Sequence, residues 1–169
     1  SGLRTTVTIP SSVGAIDAGA FNDCTGLTSM TIPGSVSQVN RIFAGCTGLR
    51  TVTLQSGVTS IYGGGGYDTT SYGAFAGMSG LTSITLPNTL TTIGGNAFNG
   101  CTGLTSLTIP DSVTNIGAYA FIHCSGLKTI KLSSSLTAIS DYMLYGCTGL
   151  TSLTVPDSEI ERIETALDV

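Results

Sequence analysis

Residues 104–126 read LTSLTIPDSVTNIGAYAFIHCSG, and close variants of this 23-residue unit fill most of the chain. An Ile-Pro or Leu-Pro step recurs at Pro10, Pro33, Pro87 and Pro110, with Val-Pro at Pro156, and the step is 23 residues where nothing is inserted or lost. Gln55 and Ser133 take the same slot without proline. Cys101, Cys124 and Cys147 keep the same interval, and Cys24 and Cys46 stand in matching slots. Seven units begin near residues 4, 27, 49, 81, 104, 127 and 150, the last one altered. A fixed period of this length marks a stacked-repeat architecture.

Every apolar slot of the unit recurs. Leu27, Leu49, Leu81, Leu104, Leu127 and Leu150 open the first segment; Val7, Met30, Val52, Ile84, Leu107, Ile130 and Leu153 hold its centre. Ile9, Ile32, Leu54, Leu86, Ile109, Leu132 and Val155 follow two residues later. Alternation with Ser and Thr predicts a strand with one face buried. Val113 and Ile116 represent the inward pair of a second short strand, and Ala120, Phe121 and Cys124 have the spacing of one helical turn. The last glycine of each unit (Gly26, Gly48, Gly80, Gly103, Gly126, Gly149) is expected to supply a backbone angle that other residues resist. No single unit can bury its own apolar edge, but stacked units can, because neighbouring strands lie about 4.8 Å apart. The expected fold is a single β-rich solenoid spanning residues 1–169, with parallel strands and short helical turns.

Composition supports this. Hydrophobic residues make up 41 % and charged residues 9 %, against a usual charged share of about 25 %. Low charge with abundant aliphatics argues for a packed chain rather than disorder. The six Lys and Arg are scattered, so no basic stripe exists for nucleic acid. No apolar run reaches the roughly 18 residues of a membrane span, and no signal peptide is visible.

The repeated pattern LTSLTIPxSVTxIGxxAFxGCTG closely resembles the BspA-like leucine-rich repeats of bacterial surfaces, from Ser1 to about Asp157. The resemblance implies a leucine-rich-repeat solenoid, an extracellular or cell-surface location, and adhesion to a host or neighbouring-cell protein or glycan. It carries no catalytic residues and no cofactor.

Departures from the repeat point to candidate sites. Twelve residues, 62–73, separate Ile61 from Ala74 where three separate Ile93 from Ala97. This insertion, YGGGGYDTTSYG, spaces Tyr62, Tyr67 and Tyr72 along a glycine loop, and tyrosine suits recognition of sugars or proteins. The competing reading is a neutral loop packed on the next coil. Gly63 to Asp68 formally matches a GGxGxD calcium repeat, but one copy, with Thr70 where an apolar residue belongs, argues against calcium.

The five cysteines share one slot, and Met78 fills it in the remaining unit. Methionine replaces a packing thiol but not a disulfide partner or zinc ligand, so a buried ladder of free thiols is expected. His123 beside Cys124 lacks the geometry of a catalytic dyad, since adjacent side chains diverge and His123 stands where other units have Gly45, Gly100 or Gly146.

The outward positions of the first strand form two hydroxyl columns, one of them containing Thr31, Thr53, Thr85, Thr108, Lys131 and Thr154. Threonine favours strands and keeps an exposed sheet soluble, which is explanation enough. A polar docking face for protein or glycan is the second reading. Ice binding by a Thr-x-Thr array is the third, weakened by serine in one column and Lys131 in the other. No Asn-x-Ser/Thr acceptor is present.

Ser1-Gly2-Leu3 matches Ser79-Gly80-Leu81 and reads as the tail of a preceding unit. At the other end, Ser158 and Glu161 form a capping box, and Ile160, Ile163 and Leu167 fall at helical spacing, so residues 157–169 are expected to close the stack as an amphipathic helix. The leading functional expectation is a non-enzymatic adhesion or recognition module. The alternative is a self-associating subunit of a filament, surface layer or matrix.

Overall fold

The computed structural model describes residues 5–64 and 73–155. Tyr67, Asp68 and Tyr72 of the insertion, and the expected cap over 157–169, lie outside the described residues. The chain winds as a β-solenoid of about six turns rather than the expected seven. The unit beginning near residue 150 contributes one strand among the described residues, not a full coil.

The first segments form strands β1 (Thr5–Thr8), β2 (Leu27–Ile32), β4 (Thr51–Leu54), β6 (Ser83–Thr85), β8 (Ser106–Thr108), β10 (Thr129–Lys131) and β11 (Ser152–Thr154). The second segments form β3 (Gln38–Val39), β5 (Ser60–Ile61), β7 (Thr92–Ile93) and β9 (Asn115–Ile116). All pairings are parallel, in the sheets β1-β2-β4-β6, β8-β10-β11 and β3-β5-β7-β9. The first sheet is therefore divided between β6 and β8, while β7–β9 carries strand pairing across the same boundary on the other side. Ile84 and Leu86, at that boundary, are only half-buried.

Equivalent slots lie over each other. Val7 pairs with Met30, Met30 with Val52 and Val52 with Ile84, and Leu107, Ile130 and Leu153 continue the column. Met30, Val52, Leu107 and Ile130 are buried, as are Leu27, Leu49, Leu81, Leu104 and Leu127. Burying each such side chain stabilises by about 1.5–3 kcal/mol. Phe21, Phe43, Phe75, Phe98 and Phe121 form a second column, with ring centroids 6.1, 6.0, 5.1 and 5.4 Å apart. Threonine adds cross-links: Oγ1 of Thr82 donates to the Arg50 carbonyl at 3.0 Å, and Thr59, Thr91 and Thr151 donate similarly at 3.1 Å. These hydroxyls tie one coil to the next, beyond their preference for strands.

No helix occurs among the described residues, so the expected helical turns are replaced by linked tight turns. Ile122 N–H donates to Tyr119 C=O, Cys124 to Phe121 and Leu127 to Cys124, each three residues back. The interruption has a local cause. Tyr119 and His123 have φ of 61° and 58°, and a left-handed residue stops a right-handed helix. The residue before the cysteine slot is left-handed in six coils: Asp23, Gly45, Gly77, Gly100, His123 and Gly146. Rungs join these turns, with Phe98 N–H donating to Ala120 C=O at 2.8 Å and His123 N–H to Tyr145 C=O at 2.8 Å.

The last glycine of each unit is conserved within the array for a different reason from the one expected. Gly126 does not have positive φ. A Cβ there would stand 2.1 Å from the carbonyl oxygen of Thr102, and one at Gly103 would stand 2.4 Å from that of Ser79. Close approach of successive coils, not backbone angle, requires glycine at this slot.

Candidate functional site

The first-strand face presents its hydroxyls in register. Thr8 pairs with Thr31, Thr31 with Thr53 and Thr53 with Thr85. Across the boundary Thr108 pairs with Lys131, and Lys131 with Thr154. Thr31, Thr53, Thr85, Thr108, Lys131 and Thr154 are all exposed, so the structure brings these six expected residues onto one surface in two blocks. The second column runs Thr6, Ser29, Thr51, Ser83, then Ser106, Thr129, Ser152. Thr6 and Ser29 hydroxyls lie 3.3 Å apart. This face can offer hydroxyl donors and acceptors to a polar partner, with the ammonium of Lys131 as its one cation among these positions.

Of the insertion, Tyr62 is described, and its side chain is exposed. Its backbone is anchored at both polar groups: N–H donates to Val39 C=O at 2.8 Å, and C=O accepts from Ala74 N–H at 3.1 Å. Tyr62 is therefore held at the end of β5, as a continuation of the second strand's pairing.

The thiols are free, and Met78 is buried in their column as expected. Cys46, Cys101, Cys124 and Cys147 are buried, but Cys24 is exposed, which corrects the expectation of a wholly buried ladder. Burial pushes the Cys101 thiol up to about 12. A side-chain hydrogen bond with Cys147, together with burial, raises that of Cys124. Such thiols stay protonated and make poor nucleophiles. Cys124 Sγ donates to a backbone carbonyl in the core, while His123 is exposed and packs edge-on to Tyr145 at 5.8 Å. Among the described residues no three His, Cys, Asp or Glu converge on a metal-sized site.

One group of side chains, Tyr119 half-buried and Tyr142 and Tyr145 exposed, was not picked out from the sequence. Tyr119 and Tyr142 stack with parallel rings 5.5 Å apart, and Tyr145 stands 6.0 Å from Tyr142 at 78°. Tyr142 and Tyr145 are 52 % and 47 % exposed despite their size. The signal was present: Tyr119 and Tyr142 occupy the slot held by Asn96 in an earlier coil, and Tyr145 the slot of Asn99. Beside this strip, the last described coil holds a cavity of about 720 Å³ lined by His123, Tyr145, Leu144, Cys147, Leu150 and Leu153. No helix among the described residues is long and apolar enough to cross a membrane.

The chain is similar in structure to a leucine-rich repeat protein of T. pallidum (TpLRR), with TM-score 0.77 and 28 % identity over 90 % of this chain and 70 % of that one. It is similar to a leucine-rich repeat protein of Bacteroides ovatus, with TM-score 0.68 and 29 % identity, over 85 % of this chain but 35 % of that one. The pneumococcal vaccine antigen PcpA aligns with TM-score 0.53 and 25 % identity, over 77 % of this chain and 28 % of that one. No curated protein sequence matches the chain. The sequence profile of the BspA type leucine rich repeat region matches residues 3–64 and 67–167, in six copies. With nearly its whole length matched and its coils built as such repeats, the chain belongs to the BspA-type leucine-rich repeat family.

Proposed function

We propose that the chain is a non-enzymatic recognition module of a bacterial surface, docking a host or neighbouring-cell protein or glycan on its first-strand face. The observation that carries this is the register of exposed hydroxyls, Thr31–Thr53–Thr85 and Thr108–Lys131–Thr154, on strands held from behind by the aliphatic columns. A rigid surface loses little entropy on binding, and solenoids use such extended faces for partners. Membership of the BspA-type repeat family, which resembles repeats of bacterial surfaces, supports a surface location. Tyr62, with Tyr67, Asp68 and Tyr72, is proposed as an accessory contact from the insertion.

The test is binding to immobilised extracellular-matrix proteins and to a glycan array, comparing wild type with Thr53→Glu, Thr85→Glu and Lys131→Glu. These side chains are exposed, so the fold is retained, and binding falls at least about tenfold if the face is used. Unchanged binding in all three sinks the reading. Tyr62→Ala, Tyr67→Ala and Tyr72→Ala, made together, decide whether the insertion contributes.

Self-association is the second reading. It is favoured by the apolar lining of the cavity on the last described coil, beside strand β11, which pairs only with β10 among the described residues. An open edge that pairs with another copy extends into a filament. Sedimentation that is monomeric at all concentrations rules it out.

A further inference from the structure

We infer that the strip Tyr119–Tyr142–Tyr145–His123, on the turn edge of the last two complete coils, is a subsite for a neutral glycan. This goes beyond docking on the strand face, because the strip lies on a different edge and uses different residues.

The rings form a continuous row, with centroid steps of 5.5 Å from Tyr119 to Tyr142, 6.0 Å to Tyr145 and 5.8 Å from Tyr145 to His123. These steps are close to the length of one sugar residue along a glycan. The first pair is parallel, and the next two meet at 78° and 70°. Tyr119 and Tyr142 each cover part of one face of the other, so the ring surface open to a ligand is that of Tyr142 and Tyr145, with the Tyr145–His123 corner beside it. A pyranose ring packs its C–H face on the electron-rich face of an aromatic ring, and phenol and imidazole edges exchange hydrogen bonds with its hydroxyls.

The backbone fixes the rings in place. Tyr119, His123 and Tyr142 are all left-handed, with φ of 61°, 58° and 52°. Tyr119 N–H donates to Asp141 C=O at 3.3 Å, His123 N–H to Tyr145 C=O at 2.8 Å and Tyr145 N–H to Tyr142 C=O at 3.2 Å. A preorganised row loses little freedom when a ligand settles on it. Left-handed tyrosine is also costly compared with glycine or asparagine. The equivalent slots hold Gly19, Arg41, Gly73 and Asn96 in other coils, so packing of the coil does not demand a ring here.

Charge and size select the ligand class. Across residues 117–126 and 140–149, Asp141 is the only Asp, Glu, Lys or Arg, which gives no anchor for a sulfated or sialylated chain. A stable protein partner needs about 800 Å² on each side, and four rings on one narrow edge do not provide it. A neutral oligosaccharide needs only the rings.

The test is titration with maltohexaose, cellohexaose, chitohexaose and mannohexaose, with a sulfated hexasaccharide as the charged arm, followed by calorimetry and by the tyrosine ring signals in NMR. The variants are Tyr142→Asn and Tyr145→Asn, which install residues the array itself uses at Asn96 and Asn99, so their melting curves match wild type. Gln55→Ala, on an exposed position of a distant coil, is the control. At least one neutral hexasaccharide is expected to bind saturably and perturb the tyrosine rings. Its affinity falls about tenfold or more in each tyrosine variant and is unchanged in Gln55→Ala. Binding by none of the neutral probes, binding by the sulfated probe alone, or equal binding by the tyrosine variants would overturn the inference. Weakening by the strand-face variants without weakening by Tyr142→Asn or Tyr145→Asn would also overturn it, while leaving strand-face docking intact.

Discussion

The thiol of Cys124 donates to the carbonyl oxygen of Phe98, 26 residues earlier, at 3.1 Å. Cys101 makes the same bond to Phe75 at 3.1 Å, Cys147 to Phe121 at 3.2 Å and Cys46 to Phe21 at 2.9 Å. The cysteine of each coil thereby tethers itself to the aromatic column of the coil before it, and it does so as a protonated donor. Cys24 is the exposed exception.

Thiol accessibility follows directly. Under native conditions at neutral pH, iodoacetamide is expected to modify Cys24 and leave Cys46, Cys101 and Cys124 untouched, because the thiolate is the nucleophile and burial suppresses it there. Unfolding in guanidinium exposes all five. Intact-mass spectrometry counts the adducts; rapid native modification of Cys101 or Cys124 contradicts the packing described above.

Phe98 sits in the middle of the aromatic column, fully buried between Phe75 at 5.1 Å and Phe121 at 5.4 Å. Phe98→Ala removes both ring contacts and leaves a cavity that neighbouring coils cannot close independently. The expected cost is about 3–5 kcal/mol, read as a lower denaturant midpoint. A loss below about 1 kcal/mol would mean the column is not continuous.

Much of this was legible because the array is its own comparison: aligning units reveals Leu104 and Phe121 as column positions without any coordinates. The turns were harder. Ala120, Phe121 and Cys124 have helical spacing, and nothing in the letters shows that Tyr119 and His123 are left-handed, since four of the six residues in His123's slot are glycine and fit either handedness. The division of the first sheet at Ile84 is equally silent, because Ser83-Ile84-Thr85 alternates as well as Ser106-Leu107-Thr108. Of the candidate site, the hydroxyl columns could be read from period and alternation together. The tyrosine strip could not, because Tyr119 and Tyr145 belong to different units and to different slots, and only stacking makes them neighbours.

Two glycines separate close approach from backbone angle. At Gly126 a methyl group would meet the Thr102 carbonyl at 2.1 Å, and backbone cannot retreat as a side chain can. At Gly100, φ is 70° but the nearest atom to a Cβ is 3.9 Å away. Gly126→Ala is therefore expected to cost about 1–3 kcal/mol or more by forcing coils apart. Gly100→Ala costs about 1–2 kcal/mol from its left-handed angle, and Gly100→Asn recovers part of that because asparagine tolerates this region. Thermal melts of the three variants check the order. If Gly100→Asn is no better than Gly100→Ala, the angle is not what glycine supplies there.

Asp111 links two coils from the surface. Its carboxylate accepts the backbone N–H of Ser134 at 2.9 Å. That bond first, then one from the Ser134 side chain and the nearby charge of Lys131, hold its carboxyl below the usual carboxylate range. Because the folded value is the lower one, the ionised form is favoured by folding. Its contribution is fully present above the unfolded value of about 3.9 and fades as pH falls through the folded value. Wild type is therefore expected to exceed Asp111→Asn in stability at pH 7, with the gap closing as the solution is acidified below about pH 4, where both side chains are neutral. Denaturant melts of the two proteins between neutral and acid pH read this directly. A gap that stays constant, or widens in acid, would show that the carboxylate charge plays no part in holding Ser134.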